Sequence, residues 1–200
     1  MRKHLAIVTP LWFLISVLPV GVIGQSEKGQ AAFQTASEEW AKSYIRDEVT
    51  AGEINKALRR LGDCYLISKY PELAEDSVFL SKLEILRDEA FKKIAQPKEK
   101  VIPYLIADLI ANAAIRFEAN RKVKAGGWTA PNILVRACEA RDEALREALL
   151  RCDSQIVEMQ LTELKKKLGP GEEFSDFHVI IEELVKEMIK KRKEAPPKNQ

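Results

Sequence analysis

The sequence predicts an all-α fold: a bundle of five to six helices, in part packed as helical hairpins. Three observations carry this. Ala, Leu, Glu, Lys, Arg and Ile dominate the chain. Its apolar residues recur at three- and four-residue steps, and no Val/Thr/Tyr-rich alternating run offers a strand. Gly and Pro, nine of each, sit mostly at the ends of these periodic stretches, where they stop and start helices.

The first 24 residues stand apart. Arg2, Lys3 and His4 form a basic head, Leu5 to Ile23 carry no charge, and Val22-Ile23-Gly24 lead into polar Gln25-Ser26-Glu27-Lys28. A basic head, an apolar middle and small residues at the exit describe a secretory signal peptide, here cut between Gly24 and Gln25. The expected location is therefore secreted or periplasmic. The alternative is an uncleaved anchor, since residues 5–23 approach the ~20 residues of a membrane span.

Residues 25–36 are weakly patterned and are expected to be loosely ordered ahead of a single helical domain, 37–193. Ser37 with Glu38 and Glu39 makes a polar, acidic start for a first helix whose face is Trp40, Ala41, Tyr44, Ile45 and Val49. Thr50-Ala51-Gly52-Glu53 has capping-box spacing and predicts a second start. Its face is Ile54, Ala57, Leu58, Leu61, then Cys64 or Tyr65. Pro71 ends that helix or opens a third, running through Leu73, Val78, Phe79, Leu83, Leu86, Ala90, Phe91 and Ile94 to Gln96-Pro97. Pro103 predicts the fourth start. The stretch from Ile102 to Phe117 is apolar around most of its circumference, which marks it as the centre of the core.

Gly126-Gly127 form the clearest break. From Ile133 to Leu168 there is neither Gly nor Pro, and one long helix is expected near 131–168. Cys138, Leu145, Cys152 and Met159 recur every seventh residue, with Leu149 and Ile156 between them, as in a coiled coil. Beyond that the stripe shifts to Val157, Leu161, Leu164 and Leu168, which allows either a bend near Asp153-Ser154 or a switch of packing partner. Gly169-Pro170-Gly171 is a strong stop. Ser175 reads as an N-cap, with Phe174 and Val179 at the spacing of a hydrophobic staple. The last helix follows, and residues 194–200 read as a disordered tail.

Leu58, Leu61-Gly62, Tyr65, Ala74 and Val78 sit at the spacings of a tetratricopeptide repeat, and residues 55–88 resemble one. The resemblance implies two closely packed antiparallel helices. Lys69, Ser81 and Leu86 depart from the pattern, and no second copy follows or precedes. Tyr70-Pro71-Glu72-Leu73 after Cys64 is similar to plant pectin methylesterase inhibitors, but Ala74 occupies the place of their second Cys, so nothing is carried over.

Function classes are narrowed more by chemistry than by motif. Arg2 and Lys3 are the only charged residues before Gln25, so the remainder holds as many basic residues as its 30 acids. A neutral chain offers no general attraction for nucleic acid. Its one strong local charge is the run Lys190-Lys191-Arg192-Lys193, which suits a helix C-terminus or weak contact with an acidic partner or membrane surface. Cys64, Cys138 and Cys152 fall on apolar stripes. In an oxidising compartment Cys64 pairs with Cys138 or Cys152, and otherwise all three are buried thiols. His178 and Glu182 share a helix face, yet two ligands are too few for a metal. No catalytic, cofactor-binding or metal-ligating residue is assigned. The expectation is a non-enzymatic protein that binds another protein or itself, in an envelope or secretion assembly. A helical hydrolase of envelope polymer using a buried Glu is the alternative, and a surface protein anchored by its uncleaved leader is a third reading.

Overall fold

The computed structural model describes residues 26–45, 48–74, 80–94, 98–124 and 131–194. The leader with its Gly24–Gln25 junction, the glycines at 126–127 and residues 195–200 lie outside them. Within the described residues the chain is all helical, with no strand. The helices are α1 (Ser26–Tyr44), α2 (Glu48–Lys69), α3 (Leu83–Ile94), α4 (Lys98–Lys124), α5 (Pro131–Leu150), α6 (Ser154–Leu168) and α7 (Ser175–Glu194). Short 3-10 turns at Pro71–Leu73 and Glu172–Phe174 precede α3 and α7. Among the described residues there are thus seven helices, against the five to six expected. The extra one comes from the division of the 131–168 stretch.

α4 is the hub. It packs on α1 and α5 and also touches α2 and α6, while α2 lies across α5 and carries α3 on its other side. α6 and α7 form a hairpin. Val101, Ile102, Leu105, Ile106, Leu109 and Ile110 of α4 are all essentially inaccessible, as a helix apolar on every side requires. Each large aliphatic side chain so buried contributes about 1.5–3 kcal/mol.

Helix α1 starts at Ser26, not at Ser37, and so covers most of the stretch expected to be loose. The reason is Phe33. Its ring, 1% exposed, stands 4.9 Å from Phe174, 5.7 Å from Phe177 and 6.0 Å from Phe117. This cluster ties α1 to α4 and to the start of α7. Gly29 permits it, because a Cβ there would meet the Phe117 ring at 2.7 Å. Further along α1, buried Trp40 donates its indole N–H to the carbonyl oxygen of Pro103, 3.0 Å away. Pro103 lies inside α4, which begins at Lys98. Likewise α2 begins at Glu48, so Thr50 is interior rather than a cap.

The long helix breaks at Arg151-Cys152-Asp153. The Asp153 carboxylate accepts hydrogen bonds from the backbone N–H groups of Gln155 (2.9 Å) and Ile156 (3.1 Å), capping α6. A phase conflict explains the break. Cys138, Leu145, Leu149 and Cys152 are buried on one stripe, and Val157, Leu161 and Leu164 on another. A straight helix would expose one of the two sets. Met159, the fourth member of the heptad run, is 61% exposed. The coiled-coil-like stripe is therefore consumed inside the fold. Gly169 ends α6 at φ 68°, a left-handed backbone suited to glycine. The expected staple does not form: Phe174 joins the aromatic cluster and Val179 is 54% exposed.

A polar seam crosses the otherwise apolar contact of α4 with α5. Asp108, Asn112 and Arg116 follow at four-residue steps on α4. Asp108 accepts a two-pronged hydrogen bond from Arg141, both prongs 2.8 Å. Asn112 donates to the Cys138 carbonyl at 2.9 Å and to Asp142 at 2.7 Å. Arg116 closes the other Asp142 oxygen at 2.7 Å. Asp108 and Asn112 are the buried polar residues among those described. Replacing Asp108 by Ala leaves Arg141 without its partner in a largely dry site, and is expected to cost about 3–5 kcal/mol in urea unfolding. Asp108→Leu combined with Arg141→Met is expected to cost clearly less than Asp108→Ala alone.

Candidate functional site

The α2 face turned toward α3 repeats at helical steps: Glu53, Lys56-Ala57, Arg60 and Asp63. Ala57 and Ala90 are 4% and 1% exposed and floor an open groove of about 560 Å³ between the two helices. Small floor residues are what make it a groove, since larger ones would fill it. Lys56, Arg59 and Arg60 rise from α2, Glu89 and Lys93 from α3, and Glu53 and Asp63 sit at the two ends of the α2 wall. None of these seven closes an ion pair with another described residue.

The groove is coupled electrostatically to the seam beneath it. Gly62, next to Asp63, lies against the stem of Arg141: a Cβ there would meet its Cδ at 3.8 Å, an ordinary van der Waals contact. The tetratricopeptide resemblance would instead have placed Gly62 at a close crossing of α2 with the next helix. The protein crowding Asp63 pushes its carboxyl above the usual range, against the pull of Arg59, Arg141 and Arg60, although the residue keeps an edge in solvent. Arg141 therefore faces Asp108 on one side and the field of Asp63 on the other.

The cysteines are separate thiols, and all three are buried. Burial pushes Cys138 up to about 12. Burial, then the charge of Asp63, also raises Cys64, with Arg60 and Arg87 opposing. A thiol held protonated in this way is a poor nucleophile.

His178 is half-buried, its ring stacked 6.3 Å from that of Phe174, and its Nε2 is buried without a hydrogen-bond partner. Burial, then Lys165, holds it below the ordinary histidine range, and Glu182 opposes them. Glu182 itself is ion-paired to Lys165 across the α6–α7 hairpin, so it is not shared with His178 as a ligand pair. No group of three His, Cys, Asp or Glu among the described residues is placed to hold a metal ion.

The basic run is divided between duties. Lys191 donates to the Leu150 carbonyl at the C-terminal end of α5, and Arg192 pairs with Glu158 of α6. Lys190 lies 3.8 Å from Glu194, and Lys193 is exposed. Two of the four thus hold α7 to the body, as cations do at carbonyl-rich helix ends. No described helix is long and apolar enough to cross a membrane.

The groove residues carry little signal in the sequence. Lys56, Arg59 and Arg60 look like a solvated helix face, and the alanines look like ordinary core. Only the tertiary pairing of α2 with α3 gathers them. The seam left a fainter clue, Asp108 and Asn112 one turn apart inside the most apolar helix.

A further tie of α7, the two-pronged contact of Arg146 with Glu187, yields a pH prediction. Arg146 Nε donates to Glu187 at 2.7 Å, and this hydrogen bond holds the carboxyl below its ordinary 4.5. A carboxylate lowered in the folded state adds stability above the unfolded value and loses it as pH falls through the folded one. The pair is partly exposed, so its worth is about 0.5–1 kcal/mol. Glu187→Gln is expected to lower the melting temperature near neutral pH, with the difference from the unmodified protein fading as pH falls through the lowered folded-state value of Glu187. Compared with known proteins, the chain matches no family model, no curated protein and no solved structure.

Proposed function

We propose that this chain is an exported helical protein that works by binding another protein, not by catalysis, with the α2–α3 groove as its docking face. Export rests on the character of residues 1–24, with the mature chain starting at Gln25. The observation that carries the binding reading is how the charges are used. Across α4 to α7, arginines and lysines are largely committed to partners within the chain: Arg116 to Asp142, Arg141 to Asp108, Arg146 to Glu187, Arg192 to Glu158. Around the groove, cations and acids stand exposed, and none closes an ion pair among the described residues. Charge complementarity of this kind steers encounter and selects partners. The heptad stripe plays no part in this reading, because its members are buried or partly buried in the fold, Met159 excepted.

A second reading has one observation in its favour. An envelope-polymer hydrolase needs an acid held partly protonated in a cleft. The groove supplies Asp63, an aspartate with an edge in water, in place of the buried glutamate expected.

A photo-crosslinking residue placed at Lys56 is expected to trap one discrete protein in the exporting cell. The same residue at Lys166, on the exposed face of α6, is expected to trap none. Reversal of Arg59 and Arg60 to Glu should abolish the Lys56 product. Hydrolysis of an envelope polymer that disappears in Asp63→Asn would replace binding by catalysis. Intact mass of the exported form should begin at Gln25, and a retained Met1 would overturn the leader.

A further inference from the structure

The rings at the start of α7 form a relay of contacts. Phe33 of α1 meets Phe174 edge-on at 4.9 Å, and Phe174 is stacked on His178 at 6.3 Å. Phe174 thus stands between the ring that holds the first half of α1 and the single histidine that follows the leader. His178 Nε2 is buried and has no hydrogen-bond partner. A neutral imidazole tolerates this, because one of its nitrogens can keep a bare lone pair. An imidazolium carries N–H at both nitrogens, and here one of them would have no acceptor.

The surrounding charges oppose a proton as well. Among the described residues, the charged groups whose fields reach the ring are Lys165 of α6 and Glu182 of α7. Glu173 of the 3-10 turn has its carboxylate against Gly171 instead. Glu182 lies one turn on from His178, but it is already held by Lys165 across the hairpin. A proton on His178 therefore sets two cations in competition for the carboxylate that ties α6 to α7. Stacking returns little, since 6.3 Å lies beyond the about 6 Å within which a cation gains from an aromatic face. Burial, then Lys165, outweigh Glu182 and hold the ring below the ordinary 6.5.

We propose that His178 is an acid-released latch. When neutral it seats Phe174 against Phe33. When protonated it frees the α6–α7 turn and the first half of α1, while α4 and α5 stay folded. The relay of rings carries the effect, and it is independent of whatever occupies the groove. The sign follows from linkage. A histidine whose folded value lies below its unfolded one gives stability that is complete above the unfolded value. That stability is lost as pH falls toward the folded value.

Two measurements on the purified protein, with its N-terminus as the cell leaves it, test this. In a proton NMR titration, with the resonance assigned by its loss in His178→Gln, His178 is expected to titrate below 6.5. Lys165→Gln is expected to raise that midpoint. Amide exchange is then followed by mass spectrometry from about pH 7 to about pH 5, corrected for intrinsic rates. Opening across residues 26–40 and 169–178 is expected to rise on acidification, and residues 101–117 are expected not to change. The rise should reach about tenfold for each unit by which the measured midpoint lies below the ordinary value. His178→Gln, and His178→Phe, which keeps the stack, are expected to abolish it. A midpoint at or above 6.5 overturns the latch. So does acid opening that persists in both variants, or that spreads equally over α4.

Discussion

The contact between Asp108 and Arg141 governs the arrangement of this bundle. α4 is apolar on nearly every side, and such a helix has little reason to prefer one rotation about its axis over another. Hydrophobic burial is non-directional. Taking an aspartate and an arginine out of water is costly, and the cost is offset only when both prongs of the guanidinium fork close on the carboxylate. Asn112 and Arg116 repeat the demand on the next two turns, against the Cys138 carbonyl and Asp142. A slide or a rotation of α4 against α5 breaks all three at once. The seam thus gives direction to an interface whose energy comes mostly from aliphatic packing.

What lies further out inherits that choice. α5 packs against α2 and carries the Arg141 stem alongside Gly62. α2 in turn carries α3, and the groove exists only between those two. The C-terminal hairpin is held differently. Its apolar side buries Val157, Leu161, Phe177, Ile181 and Leu184. Its edges are tied by Arg146 to Glu187, by Lys191 to the end of α5, and by Lys167 lying over the rings of Trp40 and Tyr44.

The sequence conveyed the class of fold and the position of its hub, because both follow from local periodicity and the apolar run around Leu105 was unmistakable. Helix starts were less legible. Pro103 and Thr50 carry start signals yet lie inside helices, where tertiary burial outweighs a local preference. α1 reaches back to Ser26 because Phe33 has a distant aromatic site to fill, and no local pattern announces that. The break at Asp153 was readable as a shift of stripe, though not as a full stop. The groove was not legible at all. Its charged residues are ordinary one by one, and their meaning arises only from which two helices face each other.

That break also bears on how the chain tolerates change in length. Along α4, one inserted residue turns everything after it by about 100° and tears the seam from its partners. Between Leu150 and Ser154 the two stripes are already out of step, and Asp153 restarts the helix on its own terms. Drift in length among descendants of this chain should therefore gather at that joint, leaving the helices on either side intact.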